Sequence, residues 1–450
     1  MPNEQNKARL LSIQNQLHAQ ISLCEQLAAT DASEIRAMVG RWSFAGNAVL
    51  DQREVDPRVY SQAVVSLLKT YAHAYDIFFD HLPHYPTLHH LTLGEIQVND
   101  HIVDLLTTLP SLKDLHLLRC HFICEGDHHL KLRSLDIEGE DRFPMELDDH
   151  LPHPAAPLQF FCRSTLERLT VRTERGVRMI LSHSDRLYVS EMGYLTHLTL
   201  ELSASLAVQN DFLRFLRQSS NLQSLAVQSK WIDMQCGASP LAHLQTYDGP
   251  TNLAGIVLQG TLVKTVRLRN FESGHFEDPL DHPNISSALV SLGLMALSLR
   301  CLRIMPIHNP THHVFDLIAE LFPNISSLEL MFEDSNYRCT PLRTAQEQML
   351  SANNGFNSDH MPVEVRAPLM NASPLSVLLD EMSAGRCMLP HAVQQLELRY
   401  RYNFYTTTVI HLPIETQQRV VWGLSKSNPT LRRVDMYEIW MLIGDVWIQG

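Results

Sequence analysis

A short phrase recurs along this chain: an apolar residue, two others, leucine, one other, then an apolar residue. It reads Leu88-His-His-Leu91-Thr-Leu93, Leu112-Lys-Asp-Leu115-His-Leu117 and Leu132-Arg-Ser-Leu135-Asp-Ile137. It returns as Leu166-Glu-Arg-Leu169-Thr-Val171, Leu195-Thr-His-Leu198-Thr-Leu200 and Leu222-Gln-Ser-Leu225-Ala-Val227. Later copies are Leu299-Arg-Cys-Leu302-Arg-Ile304, Ile325-Ser-Ser-Leu328-Glu-Leu330, Val393-Gln-Gln-Leu396-Glu-Leu398 and Leu431-Arg-Arg-Val434-Asp-Met436. No single copy can bury its own apolar side, but stacked copies can. The chain is therefore expected to be an α/β solenoid that binds other molecules, rather than a globule closed around a pocket.

Within each phrase the second leucine and the final apolar residue point to the core, and the residue between them points to solvent. Helical stripes lie between the phrases: Asp100 to Thr108, the stretch around Phe212, Val314 to Phe322, and the stretch around Val420. The unit is strand, loop, helix, loop, with parallel strands on the concave face and helices on the convex face. Leu241-Ala-His-Leu244-Gln-Thr-Tyr247 and Val263-Lys-Thr-Val266-Arg-Leu268 read as degenerate copies. Residues 85–450 form this solenoid, with insertions near 138–165 and 333–392; the Asn-, Met- and Pro-rich stretch 343–374 reads as a loop. Residues 1–84 form a helical region and cap. In 8–29, Leu10, Ile13, Leu17, Cys24 and Leu27 hold heptad spacing that Gln20 interrupts. Residues 30–55 lack a pattern. Asp56-Pro57 opens a second helix, whose stripe (Val59, Val64, Leu67, Tyr71, Tyr75, Phe78) covers the first repeat.

At 45% hydrophobic residues the chain can build a large core. With 36 basic against 49 acidic residues the net charge is −13, which argues against nucleic-acid and anionic-membrane partners. The 8 cysteines include no Cys-x-x-Cys pair, the usage of a reducing compartment. The polar opening Met1-Pro-Asn-Glu has no apolar signal core, and the apolar run Ile439 to Gly444 is cut by Asp445. A cytoplasmic or nuclear protein is expected.

The phrase resembles the leucine-rich repeat. The copy at Leu112 continues to Cys120-His-Phe122 and satisfies that family's Leu-x-x-Leu-x-Leu-x-x-Asn/Cys-x-Leu pattern at every keyed position. Three details are similar to the fungal F-box-like leucine-rich-repeat proteins. They are the helical N-terminal stretch, the segment His243-Leu-Gln-Thr-Tyr247-Asp-Gly-Pro250 with its following Val266-Arg-Leu268, and the closing Asn428-Pro-Thr-Leu431-Arg-Arg-Val434 with Trp440 and Trp447. The F-box itself, which opens on Leu-Pro and an acidic residue, is missing or degenerate: no Leu-Pro stands between Leu27 and Leu82-Pro83. The resemblance implies a non-enzymatic protein-interaction module, either a substrate-recognition subunit of an SCF-type ubiquitin ligase or a relic of one, with an SCF adaptor as partner. The alternative is a repeat scaffold or regulator with no ubiquitin connection.

The chain carries no phosphate-binding, zinc-protease or nucleophile-elbow phrase, so catalytic residues, cofactors and metal ligands are all expected to be none. Cys120, His121, Cys124, His128 and His129 cluster within a short stretch, but Cys120 holds the repeat's own Asn/Cys position and the spacing matches no standard zinc site. His81, His84, His89 and His90 read as surface histidines, and His308, His312, His313 and Asp316 as loop and helix-cap residues. The expected partner-binding residues are the solvent-facing strand positions Thr92, His116, Asp136, Thr170, Thr199, Arg303, Glu329, Glu397 and Asp435, with Ala226 in the same row. Lys113, Arg133, Arg168, His197, Arg300, Arg432 and Arg433 flank them. This polar face of mixed charge suits a protein or peptide of complementary charge.

Overall fold

The computed structural model describes residues 4–28, 40–45, 63–122, 130–139, 165–173, 176–177, 180–181, 193–202, 205–229, 241–269, 282–295, 298–308, 310–334, 373–401, 412–444 and 446–449. They divide into two compact units, Met1–Val227 and Gln228–Gly450.

The first unit opens with helix α1 (Glu4–Ala28), strand β1 (Arg41–Ala45) and helix α2 (Ala63–His81). The repeat strands follow: β2 (His90–Gly94), β4 (Asp114–Leu118), β6 (Ser134–Glu138), β7 (Arg168–Arg172), β8 (His197–Glu201) and β9 (Ser224–Gln228). They lie side by side in chain order, with β1 outside β2, and the registered pairs are parallel. Two short strands, β3 (Gln97–Val98) and β5 (His121–Phe122), make a separate parallel pair. Each recurring phrase is a strand here, because its two inward apolar residues find neighbours of the same kind: Leu91, Leu115, Leu135, Leu169 and Leu198 meet in one row, every one at most 2% exposed. Burying a leucine so completely contributes on the order of 2 kcal/mol.

β1 lies in a stretch where the sequence shows no pattern. It is short, and Trp42 and Phe44 stand in it at the register positions of Leu91 and Leu93; the indole packs on Phe78 and Tyr85, with ring centroids 5.8 and 4.7 Å away. A strand, not the second helix, thus stands at the outer edge of the first repeat. Of the heptad residues in α1, Leu17 and Cys24 are buried; Ile21, outside that spacing, is buried too, and α1 packs on α2. The expected start at Asp56-Pro57 falls outside the described residues. Helix α3 (Asp100–Thr107) matches its expected span and is capped by Asn99, whose side chain accepts from Ile102 N at 3.0 Å. Helix α4 (Leu206–Gln218) buries Phe212 and Phe215.

The second unit carries β10 (Thr246–Pro250), α5 (Thr251–Val257), β11 (Thr265–Arg269), α6 (His282–Met295), β12 (Cys301–His308) and α7 (His312–Leu321). It continues with β13 (Ser327–Glu333), α8 (Pro374–Ser383), β14 (Gln395–Arg401), α9 (Ile414–Ser427) and β15 (Arg433–Met436). Strands β10 to β15 pair in parallel, and successive helices pack side by side. Both degenerate phrases are strands; Tyr247 takes the place of a leucine and ties its hydroxyl to Pro250 O at 2.7 Å. Residues 374–383, inside the expected insertion, are an ordinary repeat helix: Ser373 Oγ accepts from Ser376 N, and buried Asp334 accepts from Leu375 N at 2.9 Å. The unit closes on an antiparallel pair, β16 (Glu438–Ile443) and β17 (Val446–Gln449). The apolar run considered as a membrane segment is β16, and no helix among the described residues is long and apolar enough to cross a membrane.

One backbone device sets the register in both units. The carbonyl just before each strand accepts from two successive amides of the next repeat. Gly40 O takes His89 N and His90 N; His89 O takes Lys113 N and Asp114 N; Lys113 O takes Arg133 N and Ser134 N. The series continues at Arg133, Glu167 and Thr196, and again at Gln245, Lys264, Arg300, Ser326 and Gln394. Both units are thus open α/β stacks of leucine-rich-repeat type.

Candidate functional site

Because outward positions repeat every second residue, the in-register strands place their middle residues in one row. In the first unit the row runs Ser43, Thr92, His116, Asp136, Thr170, Thr199. All the expected members of this unit are in it and all are half-buried; Ser43 is added because β1 was not foreseen. Ala226 is the middle residue of β9. A parallel row holds Arg41, His90, Asp114, Ser134, Arg168 and His197. Burial and then the Arg41 charge push His90 down toward its neutral form, and its Nε2 lies 3.4 Å from Thr92 Oγ1.

The charged part of this face is concentrated at β4 and β6. His116 Nε2 lies 3.6 Å from Glu138 Oε2 and 3.9 Å from Asp136 Oδ2. Arg172 Nη1 donates to the other Glu138 oxygen at 3.1 Å. Burial raises the Asp136 carboxyl above its ordinary range; Glu138 adds to this, and His116 and Arg172 oppose it.

In the second unit the middle row is Asp248, Arg267, Arg303, Glu329, Glu397, Asp435. The four expected residues are brought together in this order. Asp248 and Arg267 are additional; they stand in the degenerate phrases, and carrying the alternation through Tyr247 and Val266 would have found them. Arg269 clasps Asp248, with Nη2 donating to Oδ2 at 2.8 Å and Nε 2.6 Å from Oδ1. Arg303 Nε lies 2.8 Å from Glu329 Oε2, and Arg399 pairs with Glu397. The row is polarised, with Arg267 and Arg303 toward β11 and β12 and three neighbouring carboxylates on β13, β14 and β15. Those carboxylates repel one another. Burial first, and Glu397 next, raise both Glu329 and Asp435. Glu329 is only 8% exposed, so it supports Arg303 from beneath more than it meets solvent.

The tempting clusters look different in three dimensions. The Cys120 thiol donates to Leu93 O at 3.2 Å and to Leu118 O at 3.6 Å. Burial pushes it up to about 11, so it stays a neutral thiol that closes the turn after β4, as the repeat position implies. Cys124, His128 and His129 lie outside the described residues, as does the side chain of His121. His312 and His313 stack at 4.1 Å between ring centroids on the first turn of α7, with His313 Nδ1 3.8 Å from Asp316 Oδ2; His313 and Asp316 are exposed. Among the described residues, two sets bring three potential ligand atoms within 4.8 Å of one another: this one, and His116 with Asp136 and Glu138. The second set was not legible in the sequence, because its members come from different repeats and only the register unites them.

No protein-family profile matches the chain, and no curated protein matches it. Among solved structures it is similar to a chain in the crystal structure of the yeast Rad7 and Elc1 complex, at 12% identity over 91% of this chain and 92% of that one, with a TM-score of 0.34. A likeness of this size carries no inference about what the polar face binds.

Proposed function

We propose that the chain is a non-enzymatic interaction protein whose outward strand rows hold a protein or peptide segment. One observation supports this most: the polarised row from Asp248 to Asp435 in the second unit, held in register by backbone bonds and half covered by its own ion pairs. Its arginines are pre-positioned by Glu329 and Asp248, so little side-chain freedom is lost when a partner meets them. A segment carrying acidic residues opposite Arg267 and Arg303, and basic residues opposite Glu397 and Asp435, matches it. Electrostatic complementarity of this kind gives specificity and a salt-sensitive association rate.

The finer reading rests on the resemblance of the sequence alone. It makes the protein a substrate-recognition subunit of an SCF-type ubiquitin ligase, or a relic of one, working in the cytoplasm or nucleus. The experiment is affinity capture with the intact chain beside an Arg267→Glu/Arg303→Glu variant. Proteins recovered by the native chain and lost by the variant are partners of the row. Identical recoveries from both would refute the assignment. An SCF adaptor in the native eluate supports the ligase reading; partners without any adaptor favour a scaffold.

A further inference from the structure

We infer that His116, Asp136 and Glu138 form a binding site for a divalent transition cation of the zinc–cobalt class. The site lies on the outward face of the first unit and does not depend on the partner reading above. The middle residue of β4 supplies an imidazole, and the middle and last residues of β6 supply two carboxylates. All three point the same way because positions 114, 116, 118 and 134, 136, 138 share one face.

The three ligand atoms stand near the separations of a coordination shell with one position open. Zinc binds imidazole nitrogen and carboxylate oxygen at about 2.0–2.2 Å, which places two tetrahedral ligands roughly 3.4 Å apart. His116 Nε2 stands 3.6 Å from Glu138 Oε2 and 3.9 Å from Asp136 Oδ2. These separations are too long for hydrogen bonds; the three ligand atoms all lie within 4.8 Å of one another and would close in by up to about 1.4 Å around an ion. A second observation points to the same place. His116 Nε2, the atom that faces both carboxylates, is shut off from solvent and has no hydrogen-bond partner among the described residues. Buried polar atoms without partners are costly and call for an explanation such as an ion. A divalent cation would give the lone pair of His116 Nε2 a partner and neutralise two carboxylates that otherwise repel each other.

The surrounding residues fit this role. Arg172 holds Glu138 Oε1 at 3.1 Å and leaves Oε2 facing His116, the kind of outer contact that orients a ligating carboxylate. One imidazole with two carboxylates suits zinc, cobalt, manganese or iron(II) better than calcium, which prefers all-oxygen shells. Three protein ligands leave a position open to water.

The test is a titration of the intact, chelator-stripped chain with Co²⁺, followed by its visible d–d absorption. The native chain should take up one equivalent in a four- or five-coordinate site, and Zn²⁺ should displace it. His116→Gln and Asp136→Asn should each weaken binding at least tenfold while circular dichroism stays native. Glu138→Gln, close in shape and partly exposed, gives a third reading with little risk to folding. Absence of the band in the native chain would overturn the site and leave an ion-paired histidine between two carboxylates. So would an unchanged titration in all three variants, or a strong thiolate-to-cobalt charge-transfer band placing the ion on cysteine.

Discussion

Gly423 lies in the middle of α9, where alanine is normally the better residue by about 1 kcal/mol. Here the sign should reverse. A Cβ built on Gly423 would stand 2.1 Å from Met382 O and 2.4 Å from Ser383 O, both backbone atoms at the end of α8. Neither can swing away as a side-chain tip would, so α9 must move off α8 by roughly 1 Å to reach ordinary van der Waals contact. The two helices are joined at the same point by Ser427 Oγ, which donates to Gly385 O, and that bond would stretch with the shift. Overpacking of this kind costs about 1–3 kcal/mol. Its upper end applies where backbone meets backbone, which leaves Gly423→Ala destabilised by about 1–2 kcal/mol after the helix-propensity gain. For a body of this size that lowers the melting midpoint by roughly 2–8 °C. The assay is thermal melting of the intact chain, with hydrogen exchange reporting on α9 itself. Gly255→Ala, in α5 with nothing within 4 Å of the added atom, is the control and should be neutral or stabilising. A Gly423→Ala chain as stable as native, or more so, would refute the close approach of α8 and α9.

Other consequences can be checked in the same way. Asn428 is buried; its Oδ1 accepts from Leu389 N at 2.8 Å and its Nδ2 donates to Leu424 O at 2.8 Å. Asn428→Ala should therefore cost about 1–3 kcal/mol in a denaturant titration, since Leu389 N loses its partner while Leu424 O keeps the bond from the backbone amide of residue 428. Leu115→Asp puts a charge into a row only 2% exposed or less and should unfold the first unit, read as loss of its cooperative melt; an unchanged melt would contradict the strand register. Glu329 has its folded pKa raised by burial and by Glu397. The folded state therefore favours the protonated carboxyl, a contribution present at acid pH and lost as pH rises through that raised pKa. Glu329→Gln should then melt at or above the native temperature at pH 7, with the difference vanishing below the ordinary carboxylate range. A large loss of stability at pH 7 would show that the Arg303 pair outweighs the repulsion.

The strands were the most legible part of this protein. Leu-x-x-Leu-x-Leu states both the period and the buried side, and even Tyr247 and Val266 kept enough of it to be recognised. Helices such as α3 were legible because an Asn99 cap and an apolar stripe coincide. β1 was not, since its alternation is a single pair, Trp42 and Phe44, without the leucines that mark the other phrases. The antiparallel turn after β15 was hidden too: it depends on Tyr437 at φ +78°, a left-handed conformation unusual for tyrosine. Middle-row residues could be named from the phrase, but not which of them touch. That Arg303 lies over Glu329, or that His116 meets Asp136 and Glu138, follows from side-chain reach across strands far apart in sequence.

The paired amides that enter each strand have a consequence for how such a chain can change. Every bond in that staple is made by main-chain atoms, and the residues supplying the carbonyl are as unlike as Gly40, His89, Lys113, Glu167 and Ser326. Inheritance of the fold is thus separated from inheritance of the outward face. Gly40 apart, where an added Cβ would meet the His89 ring at 2.4 Å, side chains can be exchanged at these positions, and at the middle row beside them, without removing a bond of the staple. Proline at a donor position such as Asp114 or Ser327 is the exception, since it has no amide to give. Lineages of this architecture can drift in what they recognise while keeping the leucines, and sequence comparison would lose the relationship long before the stack itself was lost.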